Sequence, residues 1–331
     1  MRAFTIDAYK GDLHETEVAE PTVGDLDVLV EVAAAGLNQL DNKIQSGEFK
    51  AILPYALPLT LGHDLAGTVL RVGAGVTEFA PGDEVYGRPR DHRIGTFAER
   101  IAVDAADLAP KPASISTIEA AALPLVTLTA WQALVEIGKV QPGQRVLIHA
   151  GAGGVGSVAI QLAKVLGATV ATTASAANAD FVRSLGADIV IDYRAQDFEQ
   201  ELSEYDFVLD SLGGKNLEKS LRVLRPGGIA VGISGPPTPA FARAQGLGAP
   251  VRLILGAMSR GVRAQAKKLG VTYEFLFMRA SGEQLREITA LVEAGKLRPI
   301  VERTAPFADT PQALAELAAG GFRGKSVITL R

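Results

Sequence analysis

Residues 145–164 read RVLIHAGAGGVGSVAIQLAK, a buried strand, a glycine-rich turn and a helix with apolar residues at helical spacing. Gly151, Gly153 and Gly156 stand in G-x-G-x-x-G register. Such a turn needs residues that tolerate positive φ, and no side chain where a pyrophosphate must approach the backbone. The helix starting near Val155 aims unpaired N–H groups and its positive dipole end at that anion. A glycine loop can also be a plain strand–helix connection. Here a strand precedes it, a helix follows and a second strand comes next, which is the context a dinucleotide site requires.

Working outward, the rhythm continues. Gly167 stops the helix. Strand 169–173, a helix through 180–185 closed by Gly186, strands 189–191 and 207–210, and a helix near 215–224 follow. Arg225-Pro226-Gly227-Gly228 then turns the chain into strand 229–233. This alternation predicts an α/β unit with a parallel sheet and helices on both faces. Residues 1–122 differ: short strands at 28–33, 64–72 and 97–103 are broken by Gly and Pro turns, which suggests a barrel-like β domain. After about residue 297 strands return (PIVER and KSVITL) around a helix near 310–319.

Composition narrows the function. A chain of 331 residues, 47% hydrophobic with 35 glycines, suits a folded two-domain protein. A formal charge of −4 argues against nucleic acid and anionic membranes as partners. With no cysteine there are no disulfides, thiolate metal sites or thiol catalysis. The N-terminus opens as a strand without signal-peptide layout, and no apolar run reaches the roughly 20 residues of a membrane span. A cytoplasmic location is the default expectation.

Several blocks together carry a resemblance: GLNQLDNKIQSG (36–47), LPLTLGHDLAGTVLRVG (57–73), PGDEVYG (81–87), LPLVTLTAWQAL (123–134), the glycine motif, LGADIVIDYR (185–194), DSLGG (210–214) and LRPGG (224–228). Over nearly its whole length the chain resembles the medium-chain dehydrogenase/reductases of the zinc-free quinone oxidoreductase branch, near the plant alkenal/one oxidoreductases. The resemblance implies a Rossmann doubly wound parallel sheet (123–296) inserted into a GroES-like β-rich domain (1–122 plus 297–331), with a cleft where they meet. It also implies a homodimer, since relatives often pair through the nucleotide domain.

The cofactor follows from what is missing. An NAD site places a carboxylate about 20 residues past the first glycine, on the ribose 2′-OH. Here that region reads Ala171 to Ala176, with no acid before Asp180. A 2′-phosphate would not be repelled, and Ser175 could donate to it. By resemblance Tyr193 falls where relatives use a tyrosine hydroxyl on the same phosphate, although it could equally be a half-buried tyrosine after a strand. Relatives place lysine where this chain has Asn178, and Arg194 or Lys325 could supply the cation instead. The expected cofactor is NADPH, held by Gly151, Gly153, Gly154, Val155, Gly156, Ser175, Tyr193 and Lys325; the resemblance implies Asn38, Thr129, Gly232 and Ile233 at the nicotinamide end.

LGHD at 61–64 is similar to the LGHE of zinc alcohol dehydrogenases, but catalytic zinc needs three protein ligands. Relatives draw two of them from cysteines, at positions near Asn38 and Val126. His63 and Asp64 alone make a poor site, so metal is not expected. Simple alcohol oxidation, which uses zinc to polarise oxygen, is then disfavoured. Quinones and carbon–carbon double bonds conjugated to a carbonyl remain, with orientation as the enzyme's main contribution.

Asn38 and Tyr55 are the candidate catalytic residues. Asn38 matches a polar residue that relatives present to the nicotinamide ribose or substrate. Tyr55 could hydrogen-bond a substrate carbonyl or simply pack. Asp41 and Lys43 follow Asn38 among the cleft residues the resemblance implies, with a surface ion pair as their other reading, and no Ser/His/Asp arrangement is evident. The basic amphipathic stretch within 245–280 could bind a membrane surface, but a snorkelling helix over the core is the commoner case. Phe275, Phe277 and Met278 read as an apolar pocket wall or a subunit contact. A low-turnover NADPH-binding sensor or stress-related protein is the alternative from another class, and a synthase module acting on acyl thioesters is a third.

Overall fold

The computed structural model describes residues 1–330. They group into two compact units, one formed by 1–128 with the chain from Arg279 onward, the other by Thr129–Met278.

The second unit is built on a six-stranded parallel sheet. Its strands in chain order are Arg145–Ile148, Thr169–Ala174, Ile189–Asp192, Tyr205–Asp210, Leu224–Gly232 and Thr272–Phe275. They lie in the spatial order 3-2-1-4-5-6. The chain therefore leaves its first strand in opposite directions, and the crevice at the carboxyl ends of the first and fourth strands is where such sheets bind ligands. Val146, Leu147 and Ile148 are fully buried, as parallel strands covered on both faces must be. Helix Gly154–Val165 buries Val158, Ala159, Ile160, Leu162 and Ala163 on its sheet side. Gly167 ends it at φ 81°.

The first unit is a β-rich body. A seven-stranded sheet includes Asp27–Gly36, Leu65–Val72, Glu84–Gly87 and Leu108–Pro110, with Arg100–Asp104 paired to Asp27–Gly36. The C-terminal strand Lys325–Thr329 joins it through Val327↔Gly36 and Ile328↔Ala35. The parallel-sheet unit is thus an insertion between the two parts of this body.

Two features depart from the sequence reading. The expected joints at 122/123 and 296/297 differ from those of the compact units, because helix Gly282–Glu293 belongs to the β-rich body. Tyr86 donates to Leu285 O at 2.7 Å, and a Cβ on Gly282 would stand 2.1 Å from Leu108 O. Residues 245–280 form helices Ala249–Met258 and Arg260–Leu269 and strand Thr272–Phe275. The first of these helices does not lie over the core along its length; Leu255 is its one buried residue. Phe275 and Met278 are buried, and Phe275 meets Phe241 edge-on at 5.0 Å, so they belong to this unit's core and not to an open wall.

Candidate functional site

The three motif glycines do different work in the second unit. A Cβ on Gly151 would stand 2.1 Å from Thr172 Oγ1, and one on Gly156 would stand 2.3 Å from Ala150 O and 2.8 Å from Gly151 Cα. Both positions are closed by the protein itself. At Gly153 the nearest atom is Ala150 O at 3.4 Å, so its missing side chain leaves space open to an outside group. Gly153 is the N-cap of helix Gly154–Val165, and the first intrahelical bond is Ser157 N–H to Gly153 O at 2.9 Å. The N–H groups of Gly154, Val155 and Gly156 precede it and point out of the helix end as donors. This is an anion cradle on a twelve-residue helix.

The neighbouring strand ends bring Ser175 and Tyr193 together. Ala174 pairs with Asp192, and Tyr193 N–H donates to Ala174 O at 3.3 Å. Ser175 is 9% exposed and its hydroxyl has no hydrogen-bond partner among the described residues. Tyr193 is 58% exposed, with the Arg194 guanidinium 5.6 Å from its ring centre. Asp180 is turned to Arg183 at 3.2 Å, while Asp192, paired with Ala174 and next to Tyr193, accepts from Arg194 N–H at 3.1 Å. Gly232 ends the fifth strand, and Ile233 N–H is taken by Asp210 O at 2.9 Å. Thr129 is buried in helix Pro124–Trp131.

Behind the loop lies a polar chain that the sequence did not reveal. His149 Nδ1 is 3.1 Å from Thr173 Oγ1, and its Nε2 is 2.9 Å from Ser220 Oγ, which donates to Asp210 Oδ2 at 3.1 Å. Ser, His and Asp do meet here, contrary to expectation. Ser220 is the middle member and fully buried, so the arrangement braces the sheet and offers no nucleophile. Burial pushes the His149 imidazole down from 6.5 to about 4, with the Asp210 charge opposing. The unfolded chain binds that proton near 6.5 and the folded chain only near 4, so stability falls as pH drops through this window. Urea unfolding of His149→Gln against the parent should remove a slope worth on the order of 3 kcal/mol across it. An identical pH dependence in the two proteins would rule out His149 as its source.

The first unit holds a buried charge cluster. Asn38, at the start of helix Gln39–Gln45, donates through Nδ2 to Asp64 Oδ2 at 3.0 Å and to Gly36 O at 3.2 Å. Lys325 Nζ donates to Asn38 Oδ1, to Leu37 O at 2.7 Å and to Asp64 Oδ2 at 3.1 Å. Asp64 Oδ1 accepts from Leu125 N–H at 2.8 Å, at the start of the next helix. Gly36 makes room for this, since a Cβ there would stand 3.0 Å from Asp64 Oδ2. Asp41 is no surface partner of Lys43: it is fully buried, accepts from Asn38 N–H at 2.8 Å, and holds His63 Nδ1 at 2.6 Å.

Two site expectations change. All three N–H donors of Lys325 are engaged inside this cluster, so none is left for a cofactor phosphate. Both amide hydrogens of Asn38 are likewise occupied, which makes it a brace of the cluster with only Oδ1 lone-pair capacity to offer a ligand.

Beside this cluster Tyr55 is 9% exposed; its hydroxyl makes no hydrogen bond of good geometry among the described residues, and the His92 backbone is its one weak donor. Burial, then the Asp91 charge, push its phenol well above the ordinary tyrosine value, so it stays a proton donor at neutral pH. Its ring lies 5.4 Å from that of His92. Arg88 is fully buried, donating to Pro89 O at 3.0 Å and to Asp91 Oδ1 at 2.5 Å. Sequence reading missed Arg88, because nothing in GRPRDHR marks one arginine as internal.

Comparison with known proteins agrees with both units. Residues 24–113 match the family described as "Alcohol dehydrogenase GroES-like domain", and residues 185–328 the one described as "Zinc-binding dehydrogenase". The mitochondrial NAD(P)H oxidoreductase RTN4IP1 of Mus musculus is 36% identical, the match covering 92% of this chain and 82% of that protein. The 2-methylene-furan-3-one reductase of Solanum lycopersicum is 35% identical over 95% of this chain and 74% of its own. The chloroplastic NADPH-dependent alkenal/one oxidoreductase of Arabidopsis thaliana is 35% identical over 88% and 69%. Among solved structures, the quinone oxidoreductase of Coxiella burnetii superposes with a TM-score of 0.86 at 31% identity, covering 100% of this chain and 99% of its own. The Escherichia coli quinone oxidoreductase complexed with NADPH gives 0.80 at 27%, covering 99% and 100%.

The zinc in one of those family descriptions does not suit the residues present. Among the described residues no three His, Cys, Asp or Glu side chains are grouped to hold a metal ion. In the charge cluster only His63 Nε2 is unpartnered, while the Asp64 oxygens and the Asn38 amide are taken up by Lys325, Leu125 and each other. One free donor atom falls short of the three that catalytic zinc requires.

Proposed function

Since this chain belongs to the medium-chain dehydrogenase/reductase family, within its quinone oxidoreductase-like and alkenal/one oxidoreductase-like members, we propose that it is an NADPH-dependent reductase of quinones or α,β-unsaturated carbonyls working without a metal. The observation that carries the reading is the division among the loop glycines, closed at Gly151 and Gly156 and open at Gly153. The dinucleotide, when bound, supplies hydride to the acceptor. The chain does the rest: Gly153 admits the pyrophosphate, and the N–H groups of Gly154, Val155 and Gly156 hold it. Ser175 and Tyr193 take the 2′-phosphate with Arg194 beside them, and Gly232, Ile233 and Thr129 border the nicotinamide end. A screen of NADPH oxidation across quinones, enones, enals and 2-alkenoyl thioesters tests the proposal. No acceleration by any of the four classes would end it.

The cofactor preference rests on the Ser175 and Tyr193 hydroxyls as phosphate donors, with Asp180 turned away to Arg183 and Asp192 accepting from Arg194 N–H. Ser175→Asp is expected to reverse it. The new carboxylate would repel a 2′-phosphate and accept from a 2′-OH, shifting the NADPH/NADH ratio of kcat/KM by at least about tenfold. An unchanged ratio would detach Ser175 from the cofactor.

Tyr55 is proposed to donate a hydrogen bond, and finally a proton, to the acceptor's oxygen as charge develops there. Tyr55→Phe should lower kcat about 100-fold, in the range for loss of a positioned donor. The unfolding midpoint should hold or rise, because the substitution removes a buried hydroxyl that makes no hydrogen bond of good geometry. Full activity at unchanged stability would reduce Tyr55 to packing.

A homodimer and a cytoplasmic location belong to the same proposal. Strand Thr272–Phe275 ends its sheet with a partner on one side only, which leaves an edge for a second copy. Two of the relatives above are named as mitochondrial and chloroplastic, and cell fractionation is the deciding measurement.

A further inference from the structure

Charge is unevenly distributed along this chain. From Lys219 to Tyr273 there is no Asp or Glu, although the whole protein carries 37 of them against 33 Lys and Arg. Lys219, Arg222 and Arg225 are neutralised by Asp197, Glu199 and Asp206. The remaining six cations, Arg243, Arg252, Arg260, Arg263, Lys267 and Lys268, are exposed and have no acidic partner among the described residues. Elsewhere in the chain, exposed arginines such as Arg2, Arg100, Arg183, Arg286 and Arg303 each face a carboxylate.

An apolar crest stands within this basic region. On helix Ala249–Met258, Leu253 is 77% exposed, Ile254 58% and Met258 60%, while Leu255 turns inward. The next helix, Arg260–Leu269, buries Val262 and Ala266 and sets Arg260, Arg263 and Lys267 along its outer face. The two helices are tied together: Arg263 donates through Nε to Ser259 Oγ at 3.1 Å and through Nη2 to Gly256 O at 3.0 Å. Crest and cationic stripe are therefore one continuous surface.

We infer that this surface docks on an anionic phospholipid leaflet, with Leu253, Ile254 and Met258 entering the acyl boundary and Arg260, Arg263 and Lys267 lying over head-group phosphates and carboxylates. Apolar residues bordered by Lys and Arg are what an interfacial helix requires; one acid, exposed Glu218, lies beside the second helix, its carbonyl accepting from Gln265 Nε2 at 2.8 Å. A second copy of the chain fits less well: an isologous contact sets the same patch against itself, opposing these cations with their own kind. The overall charge of −4 had argued against any membrane, but net charge averages over a surface whose parts differ in sign. The inference does not depend on the reductase reading, since docking needs no cofactor.

Sedimentation with vesicles tests it. The protein should pellet with phosphatidylcholine vesicles containing about 30 mol% phosphatidylserine at least tenfold more than with phosphatidylcholine alone, and be released at about 0.5 M salt. Leu253→Glu and, separately, Arg260→Glu with Lys267→Glu should each reduce the bound fraction about tenfold. Their circular dichroism and unfolding midpoints should match the parent, since these side chains are exposed. Equal recovery with both vesicle types, or undiminished binding by the variants, would overturn the inference. So would conversion of a parent dimer to monomer by Leu253→Glu in light scattering, which would make the crest a subunit interface. NADPH turnover with a water-soluble acceptor is measured alongside, so that vesicle binding and catalysis fail or survive separately.

Discussion

Lys325→Met should cost the fold about 3–5 kcal/mol, because it leaves a buried carboxylate without its cation. The Lys325 side chain is 6% exposed and that of Asp64 fully buried. Methionine replaces the aliphatic stem but none of the three donated bonds, so Asp64 keeps only the Asn38 amide and Leu125 N–H. Adding Asp64→Asn to the variant should recover more than half of the loss, since the unpaired charge is then gone. Urea melts of the four proteins give the coupling energy directly. A single-variant loss below about 1 kcal/mol, the range of exposed ion pairs, would contradict the burial described here. The NADPH/NADH ratio of Lys325→Met should equal the parent's, in contrast to Ser175→Asp, because Lys325 has no donor left for a phosphate.

Lys325 also shows where the sequence stops being readable. Its contact with Asp64 spans 261 residues and that of Asn38 with Asp64 spans 26, so neither spacing carries a periodic signal. Each residue is visible in the sequence, but their meeting is decided by the pairing of strand Lys325–Thr329 with Asp27–Gly36. By contrast, the parallel unit is legible because local chemistry repeats: apolar strand, turn, amphipathic helix, glycine stop. The same locality explains the boundary difference. Nothing local to residues 282–293 says which sheet that helix covers, and that depends on Gly282 approaching Leu108. For helix Ala249–Met258 the sequence shows a basic amphipathic stretch, and only the fold decides that Leu253, Ile254 and Met258 remain exposed. The poorly bonded hydroxyl of Tyr55 is likewise a property of its surroundings and not of its neighbours in sequence.

Alanine substitutions in the glycine loop should separate fold from binding. Gly153→Ala is expected to leave stability within about 1 kcal/mol of the parent. Its φ of −78° suits any residue, and its Cβ would meet nothing nearer than 3.4 Å. The added methyl would occupy the space through which a pyrophosphate reaches the backbone, so affinity for NADPH should fall about 10- to 100-fold by fluorescence titration. Gly151→Ala and Gly156→Ala should behave in the opposite order. A Cβ 2.1 Å from Thr172 Oγ1 would displace a buried hydroxyl that donates to Ile148 O at 2.7 Å. One 2.3 Å from Ala150 O would meet rigid backbone, and forcing either into the sheet should cost about 3 kcal/mol. These two variants lose binding only as far as they lose structure, whereas Gly153→Ala loses binding while intact. If Gly153→Ala bound NADPH as tightly as the parent, the open position would not be a phosphate entrance, and the functional reading built on it would fall.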